Sequence, residues 1–223
     1  MKNKLRIPSR KCEVVFREPT VQDSIDLASI HPDHEEQAVS WWLNTLQDGK
    51  KKLPAEEMTQ EDRQCCLLLT FFMTQSDTAR RVTYDCQFCG KSHPMIVDYA
   101  ELATVGLEEK DEVPSVELLD GEFTMRPLDG QALEELEMER LGNPTIKQEQ
   151  IRLSVVAKRL SLTSEDLIKL PVKKYYDLLK EMDEKLPLLF HGIDFTKSDE
   201  CPEGGGTNQI SLPFQTADFL PRV

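Results

Sequence analysis

Basic charge is what this sequence is short of: 27 Lys and Arg stand against 40 Asp and Glu, for a net charge of -13. Phosphate backbones and anionic membranes repel such a chain, which excludes general nucleic-acid or lipid-surface binding and favours protein partners. Histidine is also scarce, with four residues in 223, and there is no phosphate-binding Gly-rich loop, no His-Glu-x-x-His and no Gly-x-Ser-x-Gly. Too few groups remain for an acid/base constellation, so the expectation is a protein that is not an enzyme. Long apolar runs are missing as well. None approaches the roughly 18 residues needed to cross a membrane, and the basic residues Lys2, Lys4, Arg6, Arg10, Lys11 and Arg17 are not followed by the apolar core of a signal peptide. A soluble cytosolic protein is expected.

Six cysteines are present, but two are adjacent within an apolar run (Cys65, Cys66) and two form a Cys-x-x-Cys (Cys86, Cys89). That distribution is unlike a secreted disulfide framework and points to a reducing compartment. The length suffices to bury a core without metal or disulfides, so a bound metal would act as a local staple.

The Cys-x-x-Cys has the context of a zinc knuckle. A strand carrying Val82 and Tyr84 on one side runs into Cys86, the spacer returns to Cys89, Gly90 supplies the tight turn, and a second strand spans Met95 to Val97. Structural zinc takes four ligands, and this segment offers two sulfurs and His93. The tail repeats the pattern in damaged form: Cys201, Gly204 and Gly205 align with Cys86, Cys89 and Gly90, with Gly204 where a fourth cysteine would stand. A site of Cys86, Cys89 and Cys201, completed by His93 or by water, fits zinc. A metal-free hairpin with reduced thiols is the other reading. A redox Cys-x-x-Cys fits less well, because such motifs open a helix and this one lies between strands.

Elsewhere the pattern is mainly helical. Thr20 and Asp23 form a capping pair before Ile25, Leu27 and Ile30; a second helix from near His34 carries Trp41, Trp42, Leu43 and Leu46 and ends at Gly49. Adjacent tryptophans point about 100° apart on a helix, so one is expected at a contact surface. Thr59 caps a helix, apolar on every side, through Met73. Asp120 and Gly121 mark a second hairpin. From Asp129 a stripe of Leu133, Leu136 and Leu141, a helix opening at Asn143 and Pro144 and running to Leu160, a short one capped by Thr163 or Ser164, and one from Pro171 through Tyr175, Leu178 and Met182 predict a bundle. Two bland readings complete the pass: His31 and His34 as turn and capping material, and His191 as a core or turn residue.

The expected fold is α+β and mainly helical, with a Cys-x-x-Cys knuckle hairpin, a second hairpin and a C-terminal helical bundle. The expected division is 1–110, a helical region with the knuckle; 111–192, hairpin plus bundle; and 193–223, an extended tail with the degenerate second knuckle, folded back on the first. The acidic stretch from Glu101 to Glu139 is either a docking surface for a basic partner or a solvated face.

The order of features resembles the T-even-type bacteriophage baseplate hub assembly family. The resemblance is carried by Glu18-Pro-Thr, the Trp-containing and apolar helices, Tyr84-Asp-Cys-x-x-Cys-Gly-Lys-x-His93, Val97-Asp-Tyr99, the Cys201-Pro-Glu-Gly-Gly tail with Leu212-Pro-Phe214, and Phe219-Leu-Pro221. It covers most of the chain as an order of features, and its specific parts are the knuckle and the tail. The resemblance implies a late, non-enzymatic role as chaperone or hub component in contractile-tail assembly. The protein would bind baseplate hub or tail proteins in the host cytoplasm during assembly, and then either stay in the virion baseplate or leave. Trp41 or Trp42, the acidic face and the C-terminal aromatics are the expected contacts. The competing expectation is a zinc-knuckle regulatory or host-interaction module acting on transcription machinery, for which Arg80, Arg81 and Lys91 are the only basic residues near the knuckle.

Overall fold

A computed structural model describes residues 3–10, 12–75, 77–105, 113–118, 121–212 and 214–221. The fold is α+β: helices surround small antiparallel hairpins, each a two-stranded sheet on its own. No described helix is long and apolar enough to cross a membrane.

The first hydrophobic cluster is assembled from the N-terminal half. Strand β1 (Asn3–Arg6) pairs with β2 (Glu13–Phe16), and β2 turns Val14 and Phe16 inward by simple alternation. Helix α1 (Val21–Ala28) opens with the expected Thr20/Asp23 capping box, and Asp23 also binds the Arg17 guanidinium in two-pronged fashion. Ile25 faces outward, while Leu27 reaches the core. Helix α2 (Glu35–Leu46) ends at Gln47, not at Gly49, because Gln47 bridges to Phe16 and holds the Leu53 backbone through its side-chain amide.

Helix α3 (Gln60–Thr74) is the spine of this half. Thr59 and Asp62 cap it, and Cys65, Cys66, Leu67, Leu68 and Phe71 are buried along it. Trp42 is 1% exposed, its indole Nε1–H donating to Thr70 Oγ1 at 3.1 Å, so this tryptophan is core; Trp41 is half-buried beside the same cluster.

Strands β3 (Ala79–Asp85) and β4 (Ser92–Asp98) form the expected knuckle hairpin, and β5 (Thr104–Val105) follows. The hairpin of β6 (Ser115–Leu118) and β7 (Gly121–Thr124) is present; its turn position Asp120 lies outside the described residues, as do Glu108, Glu109, Lys110, Asp111 and Glu112 of the acidic stretch.

Helix α4 (Gly130–Gly142) departs from its apolar reading. Leu133, Leu136 and Leu141 are half-buried, and the buried side chain is Glu137, whose carboxylate accepts from the Glu36 and Gln37 N–H groups at 2.9 and 3.5 Å. Helix α2 has no side-chain cap from His34, so Glu137 supplies it from about 100 residues away.

Asn143 closes α4 rather than opening the next helix. Its N–H donates to Glu139 O, a turn through Ile146 intervenes, and α5 (Gln148–Leu160) begins after Lys147. Helices α6 (Ser164–Ile168), capped by Thr163, and α7 (Val172–Lys185) complete this part. Val116, Leu118, Met125, Val156, Leu160 and Leu178 belong to a second hydrophobic cluster.

The chain then returns to the first cluster. His191 is fully buried, with Nδ1–H donating to Leu189 O at 2.8 Å and Nε2 lying 2.6 Å from Thr59 Oγ1. Strand β8 (Gly192–Ile193) pairs with β5, and β9 (Thr196–Glu200) pairs with β10 (Thr207–Ser211). The C-terminal aromatics, expected to meet a partner, are spent internally. Phe214 stacks on Phe219 at 4.5 Å, and Phe219 meets Phe71 and Tyr99 edge-on at 5.3 and 5.6 Å.

Candidate metal centre

Two turns from distant parts of the chain build the centre. In the first, Cys86 N–H donates to Lys91 O at 2.9 Å and Gly90 N–H to Cys86 O at 2.8 Å, with Gly90 at φ +70°. In the second, Cys201 N–H donates to Gly206 O at 2.8 Å and Gly204 N–H to Cys201 O at 2.9 Å, with Gly204 at φ +81°. The second turn therefore places its positive φ at Gly204 and Gly206 (φ +126°), on either side of Gly205, the residue aligned with Gly90.

The repeat extends into the strands. Asp85 faces Ser92 and Tyr84 faces His93 in one hairpin; Glu200 faces Thr207 and Asp199 faces Asn208 in the other. Every one of these positions is displaced by the same 115 residues, and the two hairpins meet at equivalent positions, Tyr84 Oη donating to Asp199 Oδ2 at 2.8 Å. His93 and Asn208 are thus counterparts, each seven residues after its cysteine.

The sulfurs of Cys86, Cys89 and Cys201 all lie within 4.8 Å of one another, the one such metal-competent group of His, Cys, Asp and Glu among the described residues. His93 adjoins this group at Cys89, with Nε2 3.1 Å from Sγ. The structure therefore gathers the three cysteines and places His93 at their edge. A tetrahedral ion with sulfur at about 2.3 Å needs its sulfurs about 3.8 Å apart. The three sulfurs, within 4.8 Å of one another, are no more than about 1 Å wider than that spacing.

Asn208, which the sequence reading passed over, ties the halves together. It is buried, its Nδ2 donates to Cys86 Sγ at 3.4 Å and to Asp199 O at 3.4 Å, and its Oδ1 accepts from Gln87 N–H at 3.0 Å. Its spacing from Cys201, matching that of His93 from Cys86, was the signal available. Phe88 lies across the second turn, where a Cβ on Gly206 would fall 2.9 Å from Phe88 Cζ and one on Gly205 would overlap Phe88 Cβ. The glycines after Cys201 are therefore a seat for Phe88. Lys91 pairs with Glu203 at the rim.

The thiols are electrostatically coupled. Burial pushes the Cys86 thiol up, but the N–H groups of Cys89 and Phe88, the Asn208 amide and the Cys201 thiol outweigh it and bring Cys86 down to about 6. For Cys89 the Lys91 N–H acts downward, while burial and the neighbouring Cys86 and Cys201 raise it overall. One thiolate is thus favoured at neutral pH, and a cation at this spacing would offset the repulsion of further thiolates. Hydrogen bonding to Asp199, with burial, raises the Tyr84 phenol to about 12, which keeps it a donor.

His31 and His34 meet edge-on at 6.1 Å near the entry to α2, and Cys65 and Cys66 are held protonated by burial inside α3. Neither pair joins the centre. Comparison of the chain with family models, with curated proteins and with solved structures finds no match.

Proposed function

We propose that this chain is a non-enzymatic assembly protein of a phage baseplate hub, in which zinc held by Cys86, Cys89, Cys201 and His93 fixes the protein's shape for binding hub or tail components. The observation that carries this reading is the meeting of two sequence-distant hairpins at one three-sulfur group. Soft thiolates favour zinc over hard cations, and a site closed by three sulfurs and a ring nitrogen leaves no coordination position for substrate. Zinc would neutralise the crowded thiolates; the protein's own groups orient them, the backbone N–H groups and Asn208 at Cys86, and Phe88 at the opposing turn.

The phage context rests on the order of features described above, from Glu18-Pro-Thr to Phe219-Leu-Pro221. The acidic charge favours protein partners with basic surfaces. With Trp42 and Phe219 packed inside, the surface available to a partner includes half-buried Trp41 and Phe214 and the exposed Tyr176 and Val172 of α7.

The test is a pull-down of the tagged chain from phage-infected cells, with bound proteins identified by mass spectrometry and zinc assayed on the same sample. Baseplate or tail-hub chains together with one zinc per chain support the reading. Polymerase subunits, host regulators or nucleic acid without tail proteins overturn it in favour of a regulatory module.

A further inference from the structure

The hairpin of β9 and β10 is bonded as a ladder only to itself, so no sheet ties it to the rest of the fold. Ile210 and Leu212 bury it in the first hydrophobic cluster, and two further groups of contacts hold it. One surrounds the sulfur centre: Cys201, the Tyr84–Asp199 bond, Asn208 against Gln87 and Cys86, and Phe88 on the glycine turn. The other is the aromatic stack of Phe214 and Phe219 on Phe71 and Tyr99, with Ala217 N–H donating to Glu35 at 3.0 Å. The preceding strand β8 is anchored separately, by its ladder to β5. Cys201 is the tail's sole sulfur among the three, so an ion at the centre joins this hairpin to the N-terminal half through bonds that no other element supplies.

We propose that metal occupancy of the cysteine centre is a clasp: zinc seats the β9–β10 hairpin on the N-terminal core, and its removal frees that hairpin while the rest of the chain stays folded. This rests on the zinc reading above. A ligand that binds only the seated form shifts the local opening equilibrium by the factor one plus its free concentration over its dissociation constant, about 100-fold when that ratio is about 100. Opening would uncover the Tyr84 side chain, whose hydroxyl the hairpin now holds through Asp199, so the clasp also decides whether this surface is presented. The helical part containing α5 and α7 has its own hydrophobic cluster and shares no residue with the clasp.

The experiment is hydrogen exchange with mass spectrometry on the full chain, zinc-loaded and after treatment with a zinc chelator, with zinc content measured on both samples. The expected result is exchange about 100-fold faster across 197–211 without zinc, unchanged exchange in α3 and α5, and reversal on adding zinc chloride. Cys201→Ser should reproduce the open pattern with or without zinc chloride. Phe219→Ala should still bind zinc and should loosen 214–221 ahead of 197–211. Zinc binding with no change in the hairpin on chelation overturns the clasp and leaves the zinc reading intact. Loss of protection throughout the chain overturns it as a local device. Failure of the native chain to bind zinc at all removes both.

Discussion

Asn208 stands to Cys201 as His93 stands to Cys86, and both side chains address the same sulfur group, Asn208 Nδ2 at 3.4 Å from Cys86 Sγ and His93 Nε2 at 3.1 Å from Cys89 Sγ. One member of the equivalent pair lies against the Cys89 sulfur and the other donates to the Cys86 sulfur. Asn208→Ala removes a hydrogen bond to the thiolate and leaves Gln87 N–H without its partner. Loss of such outer-shell support costs about 10- to 100-fold in metal affinity. Competition for zinc against a chelating dye checks this, and Asn208→Asp, which keeps the acceptor but loses the donor, should fall on the weakened side.

Zinc affinity should decline with acid in two stages. Cys86, with burial overcome by N–H donors and brought to about 6, is ionised at pH 7, whereas Cys89 is raised. Of these two ligands, Cys89 gives up a proton on binding at pH 7 and Cys86 essentially none; below pH 6 Cys86 adds a further proton to those displaced, and the affinity falls more steeply. Calorimetry in buffers of different ionisation enthalpy counts the protons. In the metal-free protein the sign is fixed by the same depression. The contribution of Cys86 to stability is fully present above its ordinary value of 9.0 and is lost as pH falls through about 6.

Gly205→Ala places a methyl group into the side chain of Phe88. Gly205 is not among the positive-φ glycines, so the obstacle is steric and not conformational. Overpacking of this kind costs about 1–3 kcal/mol. Urea unfolding should show that loss in Gly205→Ala, and the double variant Gly205→Ala with Phe88→Ala should recover part of it, a non-additivity expected of residues in direct contact.

Glu137→Ala strips the N-terminus of α2 of its acceptor. Hydrogen bonds to a charged group contribute about 1.5–3 kcal/mol, and the Glu36 N–H at 2.9 Å makes the closer of the two contacts. Thermal unfolding should register a loss in that range, while zinc affinity stays at the native value because α4 does not touch the centre. Glu137→Gln, keeping one acceptor oxygen, should lose less.

The Arg17 guanidinium, with the Thr20 hydroxyl and N–H, overcomes burial and holds Asp23 well below the usual carboxylate range. Its stabilising contribution is present above the ordinary value of 3.8 and disappears as pH falls through the depressed value. Asp23→Asn should therefore lose about 1.5–3 kcal/mol at pH 7 and show a shallower decline in strong acid than the native chain. Paired urea titrations at neutral and acid pH measure both.

The sequence by itself determined the elements whose causes are local. Thr20 with Asp23, Thr59 with Asp62 and Thr163 with Asp166 are capping boxes because both partners lie within one turn. The knuckle hairpin and the apolar α3 follow likewise from spacing and composition, and the alignment of Cys86 with Cys201 was legible because a repeat is a property of the sequence. Tertiary structure decided what depends on partners far along the chain. Trp42 is core because Thr70 waits for its indole, Glu137 is buried because α2 lacks a cap, and Asn143 ends a helix because Glu139 O accepts from it before Pro144 can begin another. Phe214 and Phe219 turn inward because Phe71 and Tyr99 offer them a surface. The role of Asn208 belongs to the same class: its spacing is written in the chain, but a carboxamide becomes a thiolate donor only when folding brings it to Cys86 across 122 residues. Hydrogen bonds, packing and thiolate chemistry depend on distance in space, and sequence reports that distance only where the partners are near neighbours.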